Sequence, residues 1–355
     1  MQSDSQVLIV GGGIAGLTAA LSLSHLNIRS TIVEKSERLG GFAVQYSCKA
    51  TDACVKCGAC IVCEKIGQVD EDPRIDVHTH SRIDRVGKSD ILRASIVQSS
   101  SIGDPRTFDC EAQAVIIASG FSPFDPQRMP YGYNNLSNVV TNLDLERMLR
   151  QNSIPECPSD GRTPDRMAFV QCVGSRDAKL GHLWCSKVCC ASALRMARLI
   201  KMRRPETEIA FFYIDVQTFG KTFQQFYNGV KNEISMFRAI PGEVYRTPED
   251  RLKVVYYETG AAESREALFD MLVLSIGITP SAESREIAAM FGLAVEESGF
   301  IASEDKGTAA TDGGIFVAGT ATGPMSIAES IASADRAALA AAVFLKAAVK
   351  QHHQT

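Results

Sequence analysis

The chain has 355 residues, of which 45% are hydrophobic and 22% are charged, and its formal net charge is -4 at pH 7. These values are typical of a globular protein with two domains, and they give no electrostatic reason to expect nucleic acid as a partner. The sequence has no apolar run of the roughly 18 residues that a membrane span needs and no segment that resembles a signal peptide. We therefore expect a cytoplasmic protein without a membrane span.

The first predicted unit is a strand, a glycine-rich turn and a helix. Residues 7–10 read Val-Leu-Ile-Val and lead directly into Gly-x-Gly-x-x-Gly at residues 11–16, with a helix predicted over residues 17–26. The first glycine of such a loop allows the turn, the second lets the backbone approach a pyrophosphate, and the third lets the helix pack closely on the strand. The N–H groups at the start of the helix then hold the phosphates. The predicted dinucleotide contacts here are Gly11, Gly13, Ile14, Ala15 and Gly16.

The next predicted strand, residues 30–33, ends in an acidic residue. Glu34 lies 18 residues beyond Gly16, where a carboxylate can accept hydrogen bonds from an adenosine ribose. Two adjacent glycines follow, and they allow a second close approach of the backbone to the dinucleotide. The predicted contacts in this part of the chain are Glu34, Lys35, Gly40, Gly41 and Ile83.

A group of five cysteines comes next, at Cys48, Cys54, Cys57, Cys60 and Cys63. In a reducing compartment such a group indicates metal or redox chemistry rather than structural disulfides. The last four nearly reproduce a ferredoxin run, although the final gap is one residue short and no proline follows. We expect an iron–sulfur cluster on Cys54, Cys57, Cys60 and Cys63. A dithiol/disulfide pair and a cluster shared with a partner are the alternatives.

Several strands are predicted before the chain leaves the first domain, over residues 75–80, 91–98, 107–113 and 114–120. The last of them is a continuous apolar run, typical of a buried parallel strand. It ends in a turn that we include in the dinucleotide site, at Ala118, Ser119 and Gly120. The stretch 121–165 is rich in proline, asparagine and aspartate, with one predicted helix over residues 142–150, and indicates a crossing to a second domain.

A second α/β pattern follows, with strands predicted over residues 167–171, 208–215, 251–257 and 271–277 and a helix over residues 191–202. The loop after its first strand carries cysteines where a dinucleotide-binding domain has Gly-x-Gly-x-x-Gly. Asp215 ends the second strand, where a contact to the ribose of NAD would fall. A structural cap is an equally good interpretation of that aspartate, because the matching glycine loop is missing.

The second cysteine group has the spacing C-x12-C-x3-C-C, at Cys172, Cys185, Cys189 and Cys190. Four thiolates can hold a [4Fe–4S] cluster, and Arg176, Lys187 and Arg195 are near enough in sequence to offset their charge. Zinc also suits four thiolates. The residues alone leave iron–sulfur and zinc open.

The C-terminal part is predicted to return to the first domain. A strand over residues 314–319 leads through a Gly-Pro turn to a long helix over residues 325–350, whose N-terminus would place partial positive charge at the edge of a flavin. The predicted contacts are Gly319, Thr320, Met325, Ser326 and Ile327. The first domain is thus discontinuous, with residues 1–122 and 281–355, and residues 123–280 form an inserted domain. The fold class is α/β, with two Rossmann-like domains.

The order of these motifs resembles the flavoprotein disulfide reductases of thioredoxin-reductase type. That resemblance implies FAD in the first domain and NAD(P)H in the inserted one. Three features depart from the pattern: the missing second glycine loop, the missing Cys-x-x-Cys in the inserted domain, and Thr320 in place of an aspartate.

Residues 170–177 read Val-Gln-Cys-Val-Gly-Ser-Arg-Asp and residues 184–190 read Trp-Cys-Ser-Lys-Val-Cys-Cys. Both closely resemble the A subunits of heterodisulfide reductases, in the short form found in sulfur-oxidising heterodisulfide-reductase-like complexes. The resemblance favours [4Fe–4S] over zinc on the second cysteine group. It also implies FAD, a homodimer, and partner subunits that are cysteine-rich or carry iron–sulfur clusters.

Two functions follow as hypotheses. The first is a flavin- and iron–sulfur-dependent electron-transfer subunit of a complex that acts on sulfur compounds or disulfides, an oxidoreductase in which the cofactors supply the redox chemistry. The alternative is a self-sufficient NAD(P)H-dependent disulfide reductase of thioredoxin-reductase type. The sequence leaves open whether NAD(H) reacts directly.

Overall fold

The computed structural model describes residues 7–88, 91–99, 104–217, 222–258, 262–303, 310–311 and 313–352. Its strands are β1 (Val7–Val10), β2 (Ser30–Val33), β3 (Ile75–His78), β4 (Ser81–Lys88), β5 (Leu92–Gln98), β6 (Arg106–Ala112), β7 (Ala114–Ile117), β8 (Phe121–Pro123), β9 (Val139–Thr141), β10 (Arg166–Val173), β11 (Glu208–Phe212), β12 (Ser235–Phe237), β13 (Pro241–Arg246), β14 (Leu252–Glu258), β15 (Glu263–Phe269), β16 (Met271–Ile276), β17 (Ile278–Pro280), β18 (Ala310–Thr311) and β19 (Ile315–Val317). Its helices are α1 (Ile14–His25), α2 (Ile61–Glu71), α3 (Asn142–Gln151), α4 (Cys189–Arg203), α5 (Phe223–Val230), α6 (Ser284–Phe291) and α7 (Ile327–His352). Within these ranges, no helix combines the length and the apolar character that crossing a membrane requires.

The chain folds into two compact units. The first comprises residues 1–44, 58–122 and 280–355, and the second comprises residues 45–57 and 123–279. The domains predicted from the sequence are residues 1–122 with 281–355 and residues 123–280, which would place the short segment 45–57 in the first domain. The side chains of that segment explain why it folds with the second unit.

The first unit is built on a six-stranded sheet in the order β18-β19-β7-β1-β2-β3. All its pairings are parallel except that of β18 with β19. The strands β1, β2 and β7 are mostly aliphatic and are buried along their whole length, as expected of parallel strands covered on both faces. Val10 pairs with both Val33 and Ile117, so the carboxyl ends of these strands meet at one edge of the sheet. A separate antiparallel meander is formed by β4, β5 and β6.

The second unit is built on a five-stranded parallel sheet in the order β12-β11-β10-β16-β9, with a separate antiparallel sheet of β13, β14 and β15. The pairing of β10 with β16 shifts register between Val170 and Val173. This irregularity falls at the end of β10 that leads into the second cysteine group. The two cores of this unit are rich in phenylalanine, leucine and isoleucine from the sheet and from α4.

Some predicted bounds change. The helix α1 starts at Ile14, three residues before the predicted start, because the glycine loop itself forms the first turn. The strand β11 ends at Phe212, so Asp215 lies beyond it. The helix α2 was not predicted, since only Val62 and Val69 of its eleven residues are buried and its apolar stripe is correspondingly thin.

A buried ion pair attaches the segment 45–57 to the second unit. The Nζ atom of Lys49 lies 2.6 Å from Oε1 of Glu146 in α3, and the two side chains are 4% and 2% exposed. The backbone N–H and the hydroxyl of Ser47 donate to Oε2 of Glu146 at 2.9 and 2.7 Å, and the hydroxyl of Ser192 in α4 donates to Oε1 at 3.3 Å. The carboxylate therefore holds this segment, α3 and α4 together, and its hydrogen bonds replace the water that both charges lose on burial.

We expect Glu146→Gln to lower the free energy of unfolding by about 3–5 kcal/mol, because it leaves the buried ammonium of Lys49 without a counter-charge. The double variant K49M/E146Q removes both charges and should recover much of that loss. The matched control is Glu266→Gln, which breaks the exposed pair of Lys253 and Glu266 in the same unit and should cost about 1 kcal/mol or less. Urea unfolding measures all three, and equal losses for E146Q and E266Q would contradict the role of the buried pair.

Candidate functional site

The glycine loop at the carboxyl end of β1 has the close contacts that its motif predicts. Gly11 has φ +107°, and its N–H donates to the carbonyl oxygen of Val33 at 2.8 Å. A Cβ atom on Gly11 would overlap the carbonyl oxygen of Ala118, and one on Gly16 would overlap the carbonyl oxygen of Gly11. Only glycine fits at these two positions, so both are required by the fold itself.

Gly13 differs from its two neighbours in the motif. It precedes α1 without a side-chain cap, and a Cβ atom placed on it would meet nothing within 4 Å. The first N–H groups of a helix have no partner within the helix, and here Ile14 and Ala15 supply the first of them. Open space beside uncapped N–H groups fits the pyrophosphate of a dinucleotide.

Glu34 is buried at the end of β2, with 6% of its surface exposed. Its Oε2 accepts the N–H of Gly12 at 2.6 Å and its Oε1 accepts the N–H of Ser36 at 2.8 Å. A carboxylate has about four lone-pair sites, so these two bonds orient the group and leave capacity for ribose hydroxyls. The expected role of Glu34 is compatible with this geometry.

The other predicted contacts after β2 differ in their surroundings. The N–H of Gly40 donates to the carbonyl oxygen of Gly12 at 2.8 Å, and a Cβ atom on Gly41 would lie 3.3 Å from Cα of Gly13, so this segment lies against the loop. The ammonium of Lys35 instead forms an exposed ion pair with Glu283 at 2.9 Å. Ile83 is buried in the core of the first unit.

The turn after β7 carries a buried hydroxyl group. The Oγ atom of Ser119 has no hydrogen-bond partner among the described residues, and the Cα atom of this residue is 3.3 Å from the Cβ position of Gly11. A buried polar atom without a partner is costly. A polar ligand in the glycine loop would supply the missing hydrogen bond. Ala118 continues the sheet pairing, and Gly120 faces open space.

The C-terminal part reaches the same loop from β19. Gly319 has φ +67°, and a Cβ atom on it would lie 2.7 Å from Cβ of Ala15, so the 3-10 turn Gly319–Thr322 packs against the start of α1. Thr320, Met325 and Ile327 are partly exposed near this turn. Ser326 and Glu329 form a capping box at the start of α7, with backbone N–H to side-chain oxygen distances of 2.8 and 3.2 Å.

The second cysteine group surrounds one cavity in the second unit. All four of its members line that cavity: Cys172, Cys185, Cys189 and Cys190. Cys172 lies in the irregular end of β10 with φ +61°, and the last two lie in the first turn of α4. The structure thus brings the four cysteines of this group to the lining of one cavity.

Burial controls the protonation of these thiols. Burial raises the pKa of Cys172 to about 11, with a smaller contribution from the neighbouring Cys190. Burial also raises the pKa values of Cys189 and Cys190, although a helix N-terminus favours thiolates. Burial is the largest cause of each shift, so binding of a metal or cluster would displace protons and supply the positive charge that stabilises the thiolates.

Two hydroxyl groups fix the loop that carries these cysteines. The Oγ atoms of Ser175 and Ser186 are 2.5 Å apart, and the N–H of Ile278 donates to Ser186 at 2.7 Å. A Cβ atom on Gly277 would overlap the Oγ atom of Ser175. The loop therefore approaches the end of β16 so closely that only glycine fits at position 277.

The cations predicted near the thiolates divide into two kinds. Arg176 and Lys187 line the cavity, and the N–H of Lys187 donates to Sγ of Cys185 at 3.3 Å. Arg195 instead lies over the rings of Phe223 and Phe226, with its guanidinium carbon 5.7 and 6.0 Å from their centroids. It does not line the cavity.

The place that a nicotinamide dinucleotide would take in the second unit is built differently from the glycine loop of the first. Cys189 and Cys190 occupy the first turn of α4. Asp215 forms an ion pair with Arg176, with Nη1 and Oδ1 2.6 Å apart, and hydrogen bonds from Arg176 and Gln217 lower the pKa of Asp215. The carboxylate of Asp215, which the sequence offers as one possible ribose acceptor, is therefore already bonded within the protein.

The first cysteine group is divided between the two units. Cys48, Cys54 and Cys57 belong to the second unit, whereas Cys60 and Cys63 belong to the first, at the start of α2. Across the residues described in the two units, no three histidine, cysteine, aspartate or glutamate side chains are grouped as the ligands of one metal ion would be, and this holds for the second cysteine group as well as for the first. The predicted second cluster on Cys54, Cys57, Cys60 and Cys63 stays a prediction.

Comparisons with known sequences agree with this arrangement. The family described as pyridine nucleotide-disulphide oxidoreductase matches residues 5–170. The A subunit of the ferredoxin:CoB-CoM heterodisulfide reductase of Methanosarcina mazei is 30% identical, over 93% of this chain and 52% of its own length. The iron-sulfur A subunit of the CoB--CoM heterodisulfide reductase of Methanocaldococcus jannaschii is 29% identical, over 97% of this chain and 64% of its own length. The chain spans less than two thirds of these relatives. The resemblance to the A subunits of heterodisulfide reductases is confirmed.

Solved structures give the fold. The thioredoxin reductase of Lactococcus lactis has a TM-score of 0.64 at 16% identity, and 96% of this chain and 99% of that chain are covered. The thioredoxin reductase of T. acidophilum has a TM-score of 0.62 at 14% identity, with 96% and 98% covered. The predicted α/β fold with two dinucleotide-binding-type domains is confirmed.

Alanine substitutions at Gly13 and Gly16 should separate the effect on flavin binding from the effect on folding. Gly13→Ala should change the free energy of unfolding of the cofactor-free protein by less than about 1 kcal/mol, because its methyl group enters open space at a helix N-cap, yet it should abolish flavin binding by blocking the pyrophosphate. Gly16→Ala should lower that free energy by about 1–3 kcal/mol or more, because its methyl group overlaps backbone. Flavin absorbance and urea unfolding measure the two effects, and a fully flavin-loaded G13A protein would contradict the assignment.

Proposed function

We propose that this chain, whose relatives are named as A subunits of heterodisulfide reductases, is a flavin- and iron–sulfur-dependent electron-transfer subunit of a heterodisulfide-reductase-like complex. One observation supports it above the others. The edge of the sheet in the first unit presents an open glycine loop, whereas the corresponding loop in the second unit presents four thiols around one cavity. The chain thus combines a dinucleotide site with a cluster site.

The first unit would hold FAD. Gly13 with the first N–H groups of α1 would bind the pyrophosphate, Glu34 would bind the adenosine ribose, and Ser119 offers a buried hydroxyl group without a partner among the described residues. FAD would supply the exchange of electrons in pairs. The residues of the chain bind and orient it.

The second unit would hold a [4Fe–4S] cluster on Cys172, Cys185, Cys189 and Cys190. The chemistry of the donors fits, since four cysteines line one cavity together with two cations. Such a cluster carries single electrons. One chain with both groups can therefore connect a two-electron reaction with one-electron carriers.

The first cysteine group would carry a second cluster on Cys54, Cys57, Cys60 and Cys63, with a dithiol/disulfide pair as the alternative. Cys57 lies in the segment that Lys49 and Glu146 attach to the second unit. Asp52 of the same segment lies 4.0 Å from Arg198, so the segment approaches α4. Iron analysis distinguishes the cluster from the pair.

The partners would be cysteine-rich and iron–sulfur subunits of the same cytoplasmic complex, with two copies of this chain at its core. The relatives are named as subunits, which supports a role within an assembly. The substrates of the complex would be sulfur compounds or disulfides in sulfur metabolism.

The alternative is a self-sufficient NAD(P)H-dependent disulfide reductase, which the likeness to thioredoxin reductases favours. The cysteines in the first turn of α4 and the pairing of Asp215 with Arg176 count against it. Both groups occupy the place where a nicotinamide dinucleotide would bind.

Iron and acid-labile sulfide in protein purified without oxygen test the cluster assignment. Cys172→Ser should remove about four irons per chain, because it takes one of the four ligands of a cubane. The matched control is Cys157→Ser, since Cys157 is buried in the same unit but does not line the cavity. Cys57→Ser tests the second group in the same way. Unchanged iron in C172S, or zinc in place of iron in the wild type, would contradict the assignment.

Mixing the flavin-loaded protein with NADH or NADPH tests the alternative. We expect slow reduction of the flavin and no turnover of a small disulfide, because the second unit lacks an open pyrophosphate site among its described residues. Dithionite reduction of the same sample is the positive control. Reduction that saturates with NADPH and turnover without partner proteins would favour the thioredoxin-reductase type instead.

A further inference from the structure

We propose that Arg176 is a cation that raises the reduction potential of the cluster held by the second cysteine group, and that Asp215 is the positioning residue that holds it there. This inference rests on the proposed function, since it assumes that Cys172, Cys185, Cys189 and Cys190 bind a cluster. It assigns a task to an ion pair that stands where a ribose would bind in a nicotinamide domain.

The backbone supports this assignment. Arg176 has φ +55°, a left-handed conformation that is strained for a residue other than glycine. Its N–H donates to the carbonyl oxygen of Trp184 at 3.0 Å, which closes the hairpin that leads to Cys185. Cys172 and Lys187, which also line the cavity, have φ +61° and +65°. Three strained residues around one space indicate that the loop is shaped for what it encloses.

The side chains support it independently. Nη1 of Arg176 lies 2.6 Å from Oδ1 of Asp215, and Nε2 of Gln217 donates to the same oxygen at 2.9 Å. All three residues line the cavity. The carbonyl oxygen of Asp215 is also 3.9 Å from Sγ of Cys190, which donates to it. Asp215 is therefore tied to the cavity through both its backbone and its side chain, and it holds the guanidinium beside the thiols.

The sign of the effect follows from the charges. Reduction adds one negative charge to a cluster, so a nearby cation stabilises the reduced state and an anion destabilises it. Arg176 and Asp215 are 27% and 42% exposed at their side chains, so water screens them less than it screens a fully exposed pair. Removing the guanidinium should lower the potential, and removing only the carboxylate charge should raise it.

The test is a redox titration of the cluster, followed by electron paramagnetic resonance, in wild-type holoprotein and in R176Q, D215N and the double variant. At the midpoint potential of the wild type, R176Q should show about a tenfold smaller ratio of reduced to oxidised cluster, a shift of about 59 mV for one electron. D215N should shift in the opposite direction, because asparagine still accepts the hydrogen bonds of Arg176 and Gln217. The double variant should return towards the wild type.

The matched control is R251Q, which breaks the partly buried pair of Arg251 and Asp270 in the same unit, at 3.2 Å; neither residue lines the cavity. R251Q should leave the potential unchanged.

A purely structural role for Arg176 would move the potentials of R176Q and D215N in the same direction, and that result, or no shift in either variant, would overturn the proposal. If R176Q fails to load iron, two other variants test the proposal. D215N should still raise the reduction potential, and R176K, which keeps the positive charge, should retain the potential of the wild type. Wild-type protein without iron would contradict the proposed function itself.

Discussion

The in-register pairing of buried parallel strands is the constraint on which both candidate sites depend. Such strands end at the same edge of their sheet, so residues far apart in sequence become neighbours. In the first sheet this brings Gly11, Glu34 and Ala118 together. In the second sheet the same rule applies to Cys172 in the irregular end of β10 and Gly277 after β16. Each edge then faces the first turn of the helix that follows the central strand.

What the two edges can bind is decided by a few side chains at equivalent points. In the first unit α1 begins after Gly13, and there is open space beside this glycine. Backbone N–H groups orient Glu34 but leave some of its lone pairs free to accept further hydrogen bonds. In the second unit the helix begins with Cys189, and the acidic residue is paired with an arginine. One scaffold therefore offers phosphate and ribose recognition in one place and thiolate ligands with a fixed counter-ion in the other.

The features that could be predicted from the sequence are those encoded within one short segment. The glycine loop and the spacing of Cys172 to Cys190 are of this kind, because turn geometry and ligand number depend on neighbouring residues. The pairing of Glu146 with Lys49 could not be predicted, since it joins a helix to a loop about a hundred residues earlier, and a lysine or a glutamate is normally exposed. The sequence could not predict the ion pair of Lys35 with Glu283 either, because the two residues are far apart along the chain.

The segment 45–57 has a consequence for how this protein can be divided. It lies between two stretches of the first unit in sequence, yet it supplies the ammonium and the hydroxyl that satisfy Glu146. No contiguous stretch of the chain within 123–279 therefore contains a complete second unit. Excision of that stretch, by a protease or by gene truncation, would take the counter-ion Lys49 and the two hydrogen-bond donors of Ser47 away from Glu146. The second unit is therefore not a separable module. Recombination that exchanged it would have to transfer residues 45–57 together with residues 123–279.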